Sequence, residues 1–338
     1  MATWMVTGGA GFIGSNFIHL LRRKRPEVRI VNVDALTYAG NLENLKDVPV
    51  GDKYRFIKCD IADKKALAEL VDEPIDAVIH FAAESHVDRS IEDASAFLRT
   101  NVIGTQVMID MARVWNVEKF VHVSTDEVYG SLGDEGLFTE ETPLSPNSPY
   151  SASKAASDFL VRAAVETHKF PGVITRCSNN YGPYQFPEKL VPLMISNATE
   201  DKPLPIYGNG LNVRDWIWVD DHCMGILLAL EKGKAGRVYN LGGKSELTNI
   251  DVVKAILKSV DKPDSLITYV KDRKGHDLRY AIDCSYSEKE LGFNRSLDFE
   301  EGLKRTVAWY LENKDWWQRI KTGAYMEYYD RHYGEELS

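Results

Sequence analysis

The sequence predicts an α/β fold built on a doubly wound parallel sheet, with a smaller mixed α/β lobe. Three observations predict it. Short, nearly continuous apolar segments alternate with helical patterns through the first half of the chain. A glycine-rich turn joins the first apolar segment to the first helical pattern. After residue 180 the alternation gives way to turn-rich pieces. Apolar strands separated by helices are the mark of a parallel sheet covered on both faces.

The elements follow in order. "TWMVT" reads as a strand and precedes a helix from Phe12 to Arg25. "VRIVNVD" ends at Asp34 and "YRFIKCD" at Asp60, with a helix from about Asp63 to Val71. "DAVIHFAA" leads into a long helix from Ile91 to Trp115. "KFVHVST" leads into another, from Pro149 to His168, and "GVITRCSN" closes the series. Beyond it lie short elements such as "KLVPLMISNA", "GRVYNLGG", "NIDVVKAILKSV" and "ITYVKDR". The last long helix runs from Asp298 to about Ile320, with Leu303, Val307, Tyr310 and Leu311 on one side. The division expected is 1–180 for the sheet and 181–338 for the second lobe, the two interleaved across a cleft.

Composition narrows the function. The 338 residues carry 41 basic and 50 acidic side chains, a net charge of -9, with no run of cations. Nucleic acid and anionic membranes are poor partners for such a chain. The four cysteines are scattered, without metal-ligand or disulfide-scaffold spacing, and no metal is expected. No apolar run reaches membrane-spanning length. A cytoplasmic enzyme is the expectation.

"VTGGAGFIGSNF" carries the first chemistry. Gly8, Gly11 and Gly14 fit one glycine spacing, and Gly9, Gly11 and Gly14 another. Such a turn lets backbone approach a pyrophosphate at a helix N-terminus. Asp34 ends the next strand, 20 residues past Gly14, where an acid meets the adenosine ribose. The reading is a Rossmann-type site, with NAD favoured over NADP. Asp60 either meets the adenine or caps the helix that follows it.

"SPYSASKAASDFL" places Tyr150 and Lys154 four apart, on one face of a helix. A free phenol is a poor base near neutral pH. A lysine ammonium and a positive nicotinamide both favour its phenolate, which then takes a hydroxyl proton as hydride leaves. Thr125 stands at a strand tip and can hydrogen-bond the same hydroxyl. Asp126 and Glu127 follow it. In isolation they read as a turn cap and a solvated acid; beside Thr125, Tyr150 and Lys154 they read as an acid/base pair. Consecutive strand residues point to opposite faces, so both can face one substrate only if the backbone leaves strand geometry by Asp126.

These motifs, with "LTYAGN", "FAAESHVDRSI", "RCSNNYGPYQFPEKL", "PLPIYGNGLNVRDWIWVDDH" and "DRKGHDLRYAID", span nearly the whole chain in order. Together they resemble the extended short-chain dehydrogenase/reductase family, in its nucleotide-sugar 4,6-dehydratase branch. The resemblance implies dTDP-glucose as substrate and dTDP-4-keto-6-deoxyglucose as product, on the way to deoxysugars such as rhamnose. It implies Glu127 as base at carbon 5 and Asp126 as acid for the carbon-6 hydroxyl. For NAD it implies Gly8, Gly11, Phe12, Ile13, Gly14, Asp34, Thr37, Asp60, Ile61, Ala82, Ala83, Thr100, Tyr150, Lys154 and Asn180. For the nucleotide sugar it implies Glu84, Ser85, Thr125, Asn179, Lys189, Leu190, Pro205, Ile206, Tyr207, Arg214, Asn249, Arg273, His276 and Asp277. A homodimer is implied through the helices 91–115 and 149–168. A 4-epimerase of the same family, a dehydratase of another nucleotide sugar and a non-catalytic NAD scaffold are the competing readings.

Overall fold

The computed structural model describes residues 1–273 and 275–322. The final part of the expected second lobe, 323–338, lies outside the described residues. In the first half, β1 (Thr3–Thr7), α1 (Phe12–Lys24), β2 (Arg29–Asp34), β3 (Tyr54–Lys58), α2 (Lys64–Leu70), β4 (Ala77–His80) and α3 (Val87–Glu92) come first. Then follow α4 (Ser95–Phe97), α5 (Thr105–Trp115), β5 (Lys119–Thr125), α6 (Pro149–His168) and β6 (Gly172–Cys177). The second half contains β7 (Asn179–Tyr181), α7 (Leu190–Thr199), β8 (Leu204–Tyr207), β9 (Val213–Trp218), α8 (Val219–Lys232) and β10 (Val238–Leu241). Among the described residues it ends with β11 (Glu246–Thr248), α9 (Asn249–Ser259), β12 (Ile267–Val270), α10 (Ser285–Leu291), α11 (Phe299–Glu312) and α12 (Lys314–Ile320).

The main sheet has seven strands in the order β10-β6-β5-β4-β1-β2-β3. Every pairing in it is parallel. Successive strand residues serve opposite faces: Met5 packs into one core with the helices α5 and α6, and Val6 into another with α1 and α8. Strand order reverses beside β1, with β2 on one side and β4 on the other. At such a reversal the connections leave in opposite directions and open a crevice at the carboxyl ends of the strands. A third core joins α7, α9, α11 and α12. It holds Trp216, Trp316 and Trp317, with Trp309 packed against them. No described helix is long and apolar enough to cross a membrane.

Three expectations need correction. "GRVYNLGG" does not stay with the second lobe: its strand β10 pairs with β6 and forms an edge of the main sheet. The expected helix 91–115 is broken. Asp93 adopts extended backbone, and its carboxylate accepts the Ser95 N–H at 2.8 Å, which ends α3 and starts a new turn. The chain then widens into π-helical turns over Leu98–Gly104 before α5. The last helix is also interrupted, at Asn313, and Leu311 is exposed rather than part of the buried stripe of Leu303, Val307 and Tyr310.

Candidate active site

A cleft of about 360 Å³ lies along the carboxyl ends of β1 to β6. Its wall starts at the glycine turn. Gly8, Gly11 and Gly14 line it and Gly9 does not, which selects between the two spacings. Gly8 has φ +70°, and a side chain there would meet the Ala82 backbone nitrogen at 2.7 Å. A Cβ on Gly14 would sit 2.2 Å from the Gly8 carbonyl oxygen. The turn and α1 are therefore packed backbone to backbone. The first turn of α1 presents N–H groups that no helix carbonyl can reach, a built cradle for a diphosphate.

Asp34 ends β2, where its carboxylate accepts the N–H groups of Ala10 (2.9 Å) and Leu36 (2.8 Å). Burial raises its pKa, and these bonds oppose that rise. Asp60 lines the cleft as well, but it is not the cap of α2: Asp63 is, accepting the Ala66 N–H. Asp60 instead accepts the Ala62 N–H and pairs with Arg99, both at 2.8 Å. Phe12, Ile13, Thr37, Ile61, Ala82, Ala83, Thr100 and Asn180 complete the wall. The residues present thus fit an adenine dinucleotide, with a glycine cradle where the diphosphate would lie and an acid at the ribose end.

The residues expected to carry the chemistry meet at the other end. Strand β5 stops at Thr125, and residues Asp126–Tyr129 form a 3-10 turn. Thr125 Oγ1 caps this turn by accepting the Glu127 N–H at 3.2 Å, and it donates to Asp126 Oδ1 at 3.3 Å. Strand alternation has ended by Asp126, so both carboxylates line one cleft. The geometric objection raised by the sequence is answered by this single cap. Asp126 is buried, and its Oδ2 has no hydrogen-bond partner among the described residues. Burial, then the nearby Glu127 and Asp215 charges, push its pKa well above the ordinary carboxylate value. A carboxyl so placed keeps its proton and can serve as an acid. Glu127 is also pushed up by burial, but Arg273, Lys189 and Arg214 pull it back toward the charged form.

Helix α6 begins where the sequence predicts. Ser148 and Ser151 exchange side-chain bonds at 3.0 Å in a capping box, and Pro149 takes the first position. This presents Tyr150 and Lys154 to the cleft. The expected lysine effect on the phenol is not what dominates. Burial and then Glu127 hold the Tyr150 pKa well above 10, and Thr125 opposes them. Lys154 Nζ donates to the Val123 carbonyl at 2.8 Å, and burial pushes its ammonium down to about 8.

The second lobe supplies the cations. Lys189 Nζ donates to the Ser85 carbonyl at 2.8 Å, and Glu84, Ser85 and Asn179 line the same cleft. Arg214 lies over the Tyr280 ring, 4.3 Å from its centroid, and donates to the Asp277 carbonyl at 2.9 Å. Arg273 NH1 stands 3.6 Å from Asp88 Oδ1, while Tyr207 OH donates to Asp88 Oδ2 at 3.3 Å. His276 packs edge-on against Tyr207, and the Asp277 carboxylate accepts from Asn147 at 2.6 Å. Leu190 opens α7 and Asn249 opens α9. Pro205 and Ile206 are buried on β8, with Ile206 inside the third core. Its side chain is core, and neither it nor Pro205 lines the cleft.

A family model described as GDP-mannose 4,6 dehydratase matches residues 5–306. A dTDP-glucose 4,6-dehydratase of Xanthomonas campestris is 52% identical over 344 residues, covering 96% of this chain and 97% of the relative. The chain belongs to the dTDP-glucose 4,6-dehydratase family. A crystal structure of such a dehydratase from Bacillus anthracis, in complex with NAD, superposes with TM-score 0.89 at 48% identity, over 95% of this chain and 100% of that one. A UDP-glucose 4-epimerase of Thermotoga maritima shares the fold at TM-score 0.86 but only 27% identity, over 92% and 99%. Identity thus separates the dTDP-glucose 4,6-dehydratase family from its epimerase rival more sharply than shape does.

Within this dTDP-glucose 4,6-dehydratase framework, two residues escaped the sequence reading. Asn101, in the π-helical turns, brackets the Glu84 peptide: its Oδ1 accepts the N–H at 2.8 Å and its Nδ2 donates to the carbonyl at 3.0 Å. The same Nδ2 donates to Ser153 Oγ at 2.8 Å, tying the substrate wall to α6. Asp215 accepts the N–H groups of Gly243 (2.9 Å) and Ser245 (2.6 Å), which hold its carboxyl near Asp126; burial raises its pKa and these bonds oppose the rise. Neither sits in a motif of regular spacing; both act across long sequence separations.

Proposed function

We propose that this protein is an NAD-dependent hydro-lyase that converts dTDP-glucose to dTDP-4-keto-6-deoxyglucose and water. The observation that carries the proposal is the Asp126–Glu127 pair, buried Asp126 and half-buried Glu127 on one 3-10 turn, in the same cleft as Thr125, Tyr150 and Lys154. An oxidation alone needs Tyr150, Lys154 and Thr125; only an elimination uses the two extra carboxyls.

NAD, held by the glycine cradle, Asp34 and the wall residues from Thr37 to Asn180, supplies hydride acceptance at carbon 4 and hydride return at carbon 6. The chain's own groups move the protons. Thr125 orients the carbon-4 hydroxyl, and Tyr150 takes its proton once Lys154 and the positive nicotinamide of bound NAD offset the rise that burial and Glu127 impose on the phenol. The resulting ketone acidifies the proton on carbon 5. Glu127, whose rise on burial three nearby cations oppose, removes that proton. Asp126, which keeps its proton, gives it to the carbon-6 hydroxyl, and that hydroxyl leaves as water. Glu127 then returns a proton to carbon 5. The overall change is redox-neutral. Lys189, Arg214 and Arg273 balance the diphosphate charge, and Tyr207, Asn249, His276 and Asp277 border the nucleotide.

A 4-epimerase has the same fold and cofactor but no use for a protonated buried Asp. Incubation with dTDP-glucose in heavy water, with no added NAD, separates the readings. The expected product is the 4-keto-6-deoxy sugar with deuterium at carbon 5. Turnover of another nucleotide sugar but not of dTDP-glucose would refute the proposal.

The same reading places the enzyme in the cytoplasm as a homodimer. Leu98, Ile103 and Phe159 are 54%, 52% and 52% exposed on the helical segments expected to pair. Sedimentation equilibrium should return twice the monomer mass.

A further inference from the structure

A redox-neutral reaction needs its reduced cofactor to stay in place until the hydride is returned, and the same hold would keep it bound between turnovers. One cluster outside the reacting groups joins the two walls of the cleft. Tyr38 belongs to the loop after Asp34, and Phe186 and Glu188 to the segment before α7; all three line the cleft. The Tyr38 and Phe186 rings meet edge to face at 5.5 Å. The Arg89 guanidinium, from α3, lies over the Tyr38 ring at 4.3 Å. The same guanidinium donates to Glu188 Oε2 from Nε (3.3 Å) and NH2 (3.2 Å). His86 Nε2 stands 3.9 Å from that oxygen, and the Tyr38 hydroxyl is directed at the same carboxylate. The Glu188 side chain is only 2% exposed, so this ion pair is little screened by solvent.

We infer that Tyr38, Arg89 and Glu188 form a clasp that retains the dinucleotide between turnovers. Three elements converge at one point: the loop after β2, the helix α3 and the segment before α7. Gly8–Gly14 and Asp34 line one side of the cleft and Gln185–Lys189 the other, so a dinucleotide lying between them would be held by both walls. Parting them breaks the ion pair and the ring stack together. Arg89 itself does not line the cleft, so it acts through Tyr38 and Glu188 as a positioning residue. A lysine cannot replace it, because the flat guanidinium stacks and pairs at once.

The inference rests on the NAD reading above, and the test separates the two. Purified wild-type, Arg89→Met and Arg89→Lys proteins are passed through gel filtration. Their NAD content, the rate at which bound NAD exchanges for labelled NAD, and their melting temperatures are then measured. The wild type should retain NAD. Arg89→Met should release it roughly tenfold faster or more, and Arg89→Lys at an intermediate rate, with turnover rescued by added NAD. Wild-type release rates in both variants, even with lowered melting temperatures, would overturn the clasp and leave Arg89 a merely structural residue. A wild-type protein that bound no NAD would refute the NAD reading and the clasp with it.

Discussion

The two halves of the cleft recognise their ligands by different means. The dinucleotide half is mostly backbone and small side chains, Gly8, Gly11, Gly14, Ala82 and Ala83, with two acids, Asp34 and Asp60, at or just past strand ends. The sugar half is made of charged side chains that hold one another. Glu127 faces Arg273, Lys189 and Arg214, and Asp126 faces Glu127 and Asp215. A backbone cradle works through close approach and tolerates no added atoms. A charged half works through shifted proton affinities, so single groups can be changed without loss of the fold.

The hardest break lies in the cradle. Gly14→Val drives its side chain into the Gly8 carbonyl, 2.2 Å from the first added carbon. The expected outcome is protein that binds no NAD and shows no turnover, seen by NAD titration and product assay. In the charged half, Asp126→Asn and Glu127→Gln should each lower steady-state turnover by about 10²–10⁴-fold, the usual contribution of a positioned acid or base. Both variants should still bind NAD, measured in the same titration.

Lys154 tests the cost of the charged half. Its ammonium is pushed down to about 8 from 10.5, so between those values the unfolded chain binds more protons than the folded one. Stability from this group therefore rises with pH across that window, and its burial cost is fully felt below about pH 8. Lys154→Met should lose catalysis yet gain up to about 3 kcal/mol at pH 7, less the lost bond to Val123. The gain should shrink as pH rises toward 10.5, followed by urea unfolding at several pH values. The smallest effect is expected at Arg273, one of three cations near Glu127. Arg273→Gln should raise KM for dTDP-glucose by roughly tenfold, with a smaller change in kcat.

The same contrast explains what was legible in the sequence. The cradle, Asp34 and the start of α6 depend on local backbone chemistry, so glycine spacing and Pro149 after Ser148 announce them. The helix break at Asp93 rests on one side-chain bond to the Ser95 N–H, a choice that helical periodicity does not reveal. Asp60 stays open between an adenine contact and a helix cap until Asp63 is seen to be the cap and Arg99, far along the chain, to pair with Asp60. Strand β10 joins β6 although 60 or more residues separate them, because parallel pairing is decided by packing on α8 and α10 rather than by local pattern. Arg214 over Tyr280 and Arg273 beside Asp88 are contacts of the same kind. Resemblance to a family pointed to these cations; spacing did not.

The central claim is that Asp126 and Glu127 divide one elimination between them. A single-turnover experiment with Glu127→Gln and dTDP-glucose in heavy water tests it most directly. The account predicts that the carbon-4 ketone accumulates with carbon 6 still hydroxylated and no deuterium at carbon 5. Release of the 4-keto-6-deoxy product at the wild-type rate, carrying deuterium at carbon 5, would contradict it.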